Sequence, residues 1–497
     1  MTARLTARYL AEYARRPLNL ALLVIVPVIF VAVAADALAD FADALGVSAQ
    51  AASVEAVAAG WAAAFLAGVA GFFHVTGSHT TDRRLAAAGA GTARVVAARL
   101  ASAMLLALLA AAGALGALWM ATGVEDLPRA AGATAMFALI YLAIGAIVGA
   151  LVRSEVNGSL LIIFAWLLDV FLSPAMSGTD VMVVRLFPTH FPAQVMLDAA
   201  SGHAGALGDV GLSVAWTLGA LTVGTLLLLR AVRPSDGRRV RGRVGSWARL
   251  ASGLRYGFRE YRRNLALWAL LVAVPVVFIT LSFAITPDDP AAVELTEAGV
   301  TTTQTLSMID VHGAIMLPIA VAFLAGLAGL FVMLGSAEGD RRLTLAGFRT
   351  GEVLAARLGV IGFAALLTTA VGVAVTAVDF TPQAWAPFAA AALLVAVTYA
   401  MIGVLVGSLF GRLGGLYVMF LLPFLDVGLA QNLMFDAAPP DWAQLMPAHG
   451  AVRMLVDGAF TQTFDTTGAL LLGLGWLAGL TLVAATVFHR LAAPHRA

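Results

Sequence analysis

The sequence predicts an all-α, polytopic membrane protein of about 12 transmembrane helices, arranged as two parallel six-helix repeats. Three observations predict it. Of the 497 residues, 61% are hydrophobic and 12% charged, whereas a water-soluble domain is nearer half apolar and a quarter charged. Apolar runs long enough to cross a ~30 Å hydrocarbon core follow one another along the whole chain. Long stretches of the first half also recur in the second. Composition bounds the chemistry too. A net charge of +1 points to no nucleic acid and no acidic partner, and the chain has no cysteine, which removes disulfides and thiolate chemistry. All 30 basic residues are arginine. A Walker phosphate loop and a Schiff base both need lysine, so neither can form in this chain.

The elements follow in order. Leu5, Tyr9 and Tyr13 recur every four residues, flanked by Arg4, Arg8, Arg15 and Arg16, the pattern of an elbow helix lying in the membrane interface. Six apolar runs follow at 18–37, 56–76, 95–122, 131–152, 158–176 and 209–230. A second elbow carries Leu250, Leu254 and Tyr261 among Arg249, Arg255, Arg259 and Arg262, and six more runs occupy 266–285, 311–334, 353–378, 387–409, 414–432 and 466–489. Eleven arginines lie from Arg230 to Arg263, while Asp36, Asp40, Asp43 and Glu55, and later Asp288, Asp289, Glu294 and Glu297, mark the opposite side. The positive-inside rule therefore places both termini in the cytoplasm.

Residues 64–100 match 322–358 without a gap at 22 of 37 positions. The segment 12–30 recurs at 260–278, 141–151 at 399–409, Leu168–Val170 at Leu425–Val427 and 188–200 at 447–459. A cleavable signal peptide has no reason to recur internally, so the first run is expected to be a retained helix. The domains are expected to be a six-span unit over 1–230, an arginine-rich linker over 231–255 that meets anionic lipid, and a second six-span unit over 256–497. Each unit has an even number of spans, so both insert the same way up.

The match is densest in the loop after the second span. Gly77, Ser78, Asp82, Arg83, Arg84, Leu85, Ala88 and Gly89 equal Gly335, Ser336, Asp340, Arg341, Arg342, Leu343, Ala346 and Gly347. Positive-inside anchoring needs the arginines but not the whole motif, so the identity points to one docking surface used twice. Asp169 and Asp426 are the candidate pathway residues. Each lies about 11 residues, or ~17 Å, into a fifth span, where a carboxylate is costly unless it faces a cavity or a partner. A tie between helices is the alternative for both. Gly145 with Gly149 and Gly403 with Gly407 read as helix-packing motifs. His190 and His449 each stand beside a proline, and His74 and His79 lack metal-ligand spacing. Neither a metal site nor a catalytic constellation is expected, so the chain is read as no enzyme.

Six spans per unit, an elbow ending in tyrosine and arginines, a charged loop after the second span and Pro-x-His segments before the sixth together resemble the ABC type-2 permease family. These are the membrane subunits of exporters with the type V fold. The resemblance implies short re-entrant external helices at the Pro-x-His segments. It also implies that Asp82, Arg83, Arg84 and Gly89, with Asp340, Arg341, Arg342 and Gly347, dock on two separate ATP-binding subunits, which carry ATP and Mg. This chain would hold no cofactor and would sit in a prokaryotic cytoplasmic membrane. Its partners would be those subunits, membrane lipid and an amphiphilic or apolar small-molecule or lipid substrate such as a drug, an antibiotic or a lipid. An ion-coupled secondary transporter with two six-span repeats is the alternative reading.

Overall fold

The computed structural model describes residues 2–44, 51–124, 126–152, 154–177, 182–200, 207–232, 265–297, 299–345 and 350–492. Within these, side chains are described except at 34–44, 51–53, 177, 198–200, 207–208, 265–266, 268, 336–345, 350 and 489–492. The chain divides into two compact units, Met1–Arg239 and Val240–Ala497. Most of the expected linker, 233–255, and the second elbow with Leu250, Leu254 and Tyr261 lie outside the described residues.

In the first unit, α1 (Thr2–Ala14) bends by 82° into α2 (Pro17–Ala44) at Arg15–Arg16. Pro17 opens α2 at the position where a missing N–H costs nothing. Then come α3 (Ala51–Thr76), the short α4 (His79–Leu85) with a π-turn over Ala86–Ala90, α5 (Thr92–Ala121) and α6 (Leu127–Leu151). The Asp126 side chain caps α6 by accepting from Arg129 N at 3.1 Å. The helix α7 (Glu155–Phe171) is capped by Ser154, and α8 (Pro174–Ser177), α9 (His190–Ala200) and α10 (Leu207–Ala231) complete the unit.

The second unit holds α11 (Leu265–Ile285), a hairpin of β1 (Pro290–Glu297) and β2 (Val300–Ser307), and α12 (Met308–Leu345). After it come α13 (Thr350–Asp379), α14 (Trp385–Pro423) with a π-helical extension over Phe424–Ala430, α15 (His449–Phe460) and α16 (Thr467–Ala492). The hairpin strands are antiparallel, with Pro290 opposite Ser307 and Glu297 opposite Val300. No strand is predicted here from the sequence: β1 alternates, with Ala291, Val293 and Leu295 buried, but over few residues, and Thr-rich β2 is largely exposed and carries no apolar alternation.

Eight of the described helices are long and apolar enough to span a bilayer, or nine if α1 and the start of α2 count as one bent span. The chain is therefore a helical membrane protein. The sequence runs 387–409 and 414–432 fall, but for Gln431 and Asn432, in one 46-residue stretch, Trp385–Ala430. A straight helix of that length would be about 69 Å, over twice the hydrocarbon core. It is broken at Gly411, whose φ of 69° suits glycine.

Within each unit the second and fourth apolar runs form the tightest pair. A Cβ at Gly145 would lie 2.0 Å from the Gly68 carbonyl oxygen, and a Cβ at Gly403 would lie 2.0 Å from that of Gly326. Backbone therefore meets backbone at both crossings, the contact that dispersion favours in lipid. Most residues of the central Val54–Thr76 stretch are buried, whereas few of those in Asp209–Ala231 and Thr467–Phe488 are. The last helix of each unit is thus its peripheral one.

Candidate functional site

The repeated loop becomes, in the first unit, α4 and the π-turn that follows it. Gly89 and Gly91, with φ of 92° and 79°, turn the chain from that segment into α5. Asp82 faces inward and is 3% exposed. Arg99 on α5 grips it with two hydrogen bonds, Nε to Oδ2 at 3.0 Å and a second nitrogen to Oδ1 at 2.6 Å. Tyr9 of α1 donates its hydroxyl to the same carboxylate at 3.2 Å, and the guanidinium lies 3.7 Å from the centre of the Tyr9 ring. His74 of α3 completes the cluster, 2.8 Å from the Ser102 hydroxyl and 3.5 Å from Arg99. A buried ion pair persists only when its remaining polar valences are met, and here Tyr9 meets one of them.

The neighbours of Asp82 point elsewhere. Arg83 Nε donates to the Ala231 carbonyl at 2.8 Å, and a His79 ring nitrogen lies 2.9 Å from the Gly149 carbonyl oxygen. Thr80, Thr81, Arg84, Ala87, Ala88 and Gly89 are exposed. Of the residues expected on a docking surface, Arg84 and Gly89 are therefore outside and Asp82 is an internal strut. In the second unit Asp340, Arg341 and Arg342 fall within α12, but their side chains, and Gly347 altogether, lie outside the described residues.

Sequence reasoning missed Arg99, His74 and Ser102. A signal existed for Arg99: the gapless match pairs it with Arg357 just as it pairs Asp82 with Asp340. An arginine kept at one position inside an apolar run asks for a carboxylate. No such signal marks His74 and Ser102, since Val332 and Val360 stand at the matching positions.

The paired aspartates make one arrangement in both units. Tyr141 donates to Asp169 Oδ2 at 2.9 Å, and Thr189 N donates to Oδ1 at 3.4 Å. Tyr399 donates to Asp426 Oδ2 at 2.7 Å, and Ala448 N donates to the same oxygen at 3.0 Å. Thr189 and Ala448 open α9 and α15, their carbonyls accepting from Ala193 N and Val452 N. Each aspartate thus acts as an N-cap supplied from a distant part of the chain, beside the positive end of the helix dipole. Ala448 has no capping side chain of its own.

Asp169 also lies further along its helix than expected. The Ser154 cap starts α7 at Glu155, so Asp169 sits near the C-terminal end at Phe171. Both aspartates are nearly inaccessible, at 2% and 0% exposure. The structure brings Asp169 to α6 and α9, and Asp426 to α14 and α15, each within its own unit.

Gln431 reinforces the second copy, donating to the Ala443 carbonyl at 2.8 Å and lying 3.0 Å from His449 Nδ1. Burial and, secondarily, Arg453 hold the His449 pKa below the ordinary histidine value. Among the described residues, no group of three or more histidine or carboxylate residues could hold a metal ion. Neither a family model nor a curated protein matches this chain.

Proposed function

We propose that the chain is the membrane permease of an ABC exporter, twelve spans in two fused six-span units, working with separate ATP-binding subunits. The observation that carries this reading is the Gly-Ser…Asp-Arg-Arg-Leu…Ala-Gly segment, present once per unit between the second and third spans. In the first unit its tip, Arg84 and Ala87–Gly89, is exposed, while Asp82 is held by Arg99 and Tyr9. An exposed turn on a rigid base suits the transfer of force from a bound partner. The lack of any lysine, which leaves this chain without a Walker loop, agrees with ATP hydrolysis in another subunit.

On this reading the substrate is amphiphilic or apolar and leaves outward by alternating access. The chain lies in a prokaryotic cytoplasmic membrane with both termini inside. Each unit supplies one docking segment, so one chain binds two ATP-binding subunits.

Affinity purification of the chain from its native membrane, with the co-purifying subunits identified and counted, tests this. The expected ratio is one chain to two subunits, and Arg84→Glu should lower subunit retention without affecting membrane insertion. A chain that transports with no ATP-binding subunit, or an Arg84→Glu, Arg342→Glu double variant with unchanged retention and transport, would overturn the proposal.

A further inference from the structure

The C-terminal ends of two long helices in the first unit are closed by side chains of α4. The last four carbonyls of a helix have no amide one turn ahead to bond with. Gly149 is two residues from the end of α6, and Ala231 is the last residue of α10. The His79 ring, 2.9 Å from the Gly149 carbonyl oxygen, must be the donor, because a carbonyl only accepts. Arg83 donates to the Ala231 carbonyl at 2.8 Å and places a cation at the negative end of the α10 dipole. With Asp82 bound to Arg99 and Tyr9, this seven-residue helix is tied to α1, α5, α6 and α10.

Helix α4 is also jointed. The helix α3 ends at Thr76, and α4 begins at His79 after Gly77 and Ser78. The second unit differs at the joint and at His79, while Arg341 stands where the first unit has Arg83. There α12 runs unbroken from Met308 to Leu345, through the positions matching that joint. Ala337 stands where the first unit has His79. Its would-be acceptor, Gly407, does not end a helix, because α14 continues to the bend at Gly411. The donor is present where a helix terminates and absent where the helix runs on.

We propose that His79 and Arg83 are positioning residues that make the coupling segment of the first unit a jointed lever fastened to α6 and α10. The segment of the second unit is instead a stiff extension of α12. One partner movement is then passed on unequally by the two units. That consequence for transport rests on the permease reading, whereas the mechanical difference does not.

Hydrogen exchange on the full chain in lipid nanodiscs tests the mechanics. Amides 79–90 should exchange as their own unit, roughly ten-fold or more faster than 54–76, while 336–345 follow the rest of α12. His79→Ala should speed exchange near the end of α6, and Arg83→Ala near the end of α10, each by roughly ten-fold. Arg83→Lys, which keeps a cationic donor, should restore α10. Ala337→His should leave α14 unchanged. Equal exchange of 79–90 and 336–345, or no response of α6 to His79→Ala, would overturn the lever.

The transport arm uses the assembled complex. His79→Ala should retain the ATP-binding subunits yet lower transport per ATP hydrolysed, and Ala337→His should not. If the subunits stay bound and that ratio is unchanged, unequal coupling is refuted. If the unsubstituted chain binds no ATP-binding subunit, the permease reading fails instead, and the exchange result still decides the lever.

Discussion

Replacing Asp169 and Asp426 one at a time by Asn should separate two sites that look equivalent in sequence. At Asp169 the two donors reach different oxygens, Tyr141 to Oδ2 and Thr189 N to Oδ1. An Asn there offers one oxygen, so one buried donor faces an NH2 group. The backbone N–H cannot accept, so the amide oxygen must face Thr189 N; the Tyr141 hydroxyl can turn to accept from the NH2 group, but its own proton then has no acceptor and one buried donor is stranded. At Asp426 both donors converge on Oδ2, and among the described residues Oδ1 has no hydrogen-bond partner. An Asn there keeps its oxygen at the shared position and exchanges one unpartnered buried atom for another. The expected cost is about 1–2 kcal/mol for Asp169→Asn and under about 0.5 kcal/mol for Asp426→Asn. Leu strands two buried donors at either site, which costs at least about 2 kcal/mol. Thermal unfolding in detergent, followed by tryptophan fluorescence, measures the order. If the Asn variants cost the same, or Asp426→Asn costs more, the capping geometry is refuted. If Asp426→Asn retains full stability but abolishes substrate-stimulated ATPase activity, the carboxylate serves the pathway and not the cap.

Three further outcomes follow from the packing and the charges. Gly145→Ala and Gly403→Ala should each destabilise their unit by about 1–3 kcal/mol, because the new methyl would meet a carbonyl oxygen at 2.0 Å. Gly132→Ala, with no heavy atom within 4 Å of its Cβ, is the control that should melt normally. Asp82→Ala and Arg99→Ala should each cost roughly 3–5 kcal/mol by leaving a buried charge alone, and the Asp82→Leu, Arg99→Met double variant less than either; additive losses in the melting assay would contradict that pairing. His449 has its folded-state pKa below the unfolded value, so its contribution is complete above the ordinary histidine range and is lost as pH falls through the folded pKa. Exchange of the α15 amides should therefore speed on acidification, and His449→Gln should remove that dependence; identical pH profiles would exclude His449 as the cause.

The sequence by itself determined the class of protein, the helical content and the recurrence of parts. Each of these is written in composition or in spacing along one chain. Runs of about 20 apolar residues must satisfy their backbone internally in lipid, and helices do so locally. The Gly145 and Gly403 crossings were legible as well, since small residues four apart mark a close helix approach before any partner is known.

Only the tertiary structure decided what the polar residues do. Asp82 reads in sequence as one more charge in a cytoplasmic loop, yet it is buried against Arg99, 17 positions away, and Tyr9, 73 positions away. Asp169 and Asp426 read as isolated intramembrane carboxylates, yet their partners lie 20 to 28 positions away, on another helix and at the start of a shorter one. The β-hairpin and the unequal joints at His79 and Ala337 likewise depend on where a chain segment stops and what stands beside that end. A buried polar group is defined by the donor or acceptor it meets, and that partner is chosen by how helices cross, which no local pattern of residues encodes.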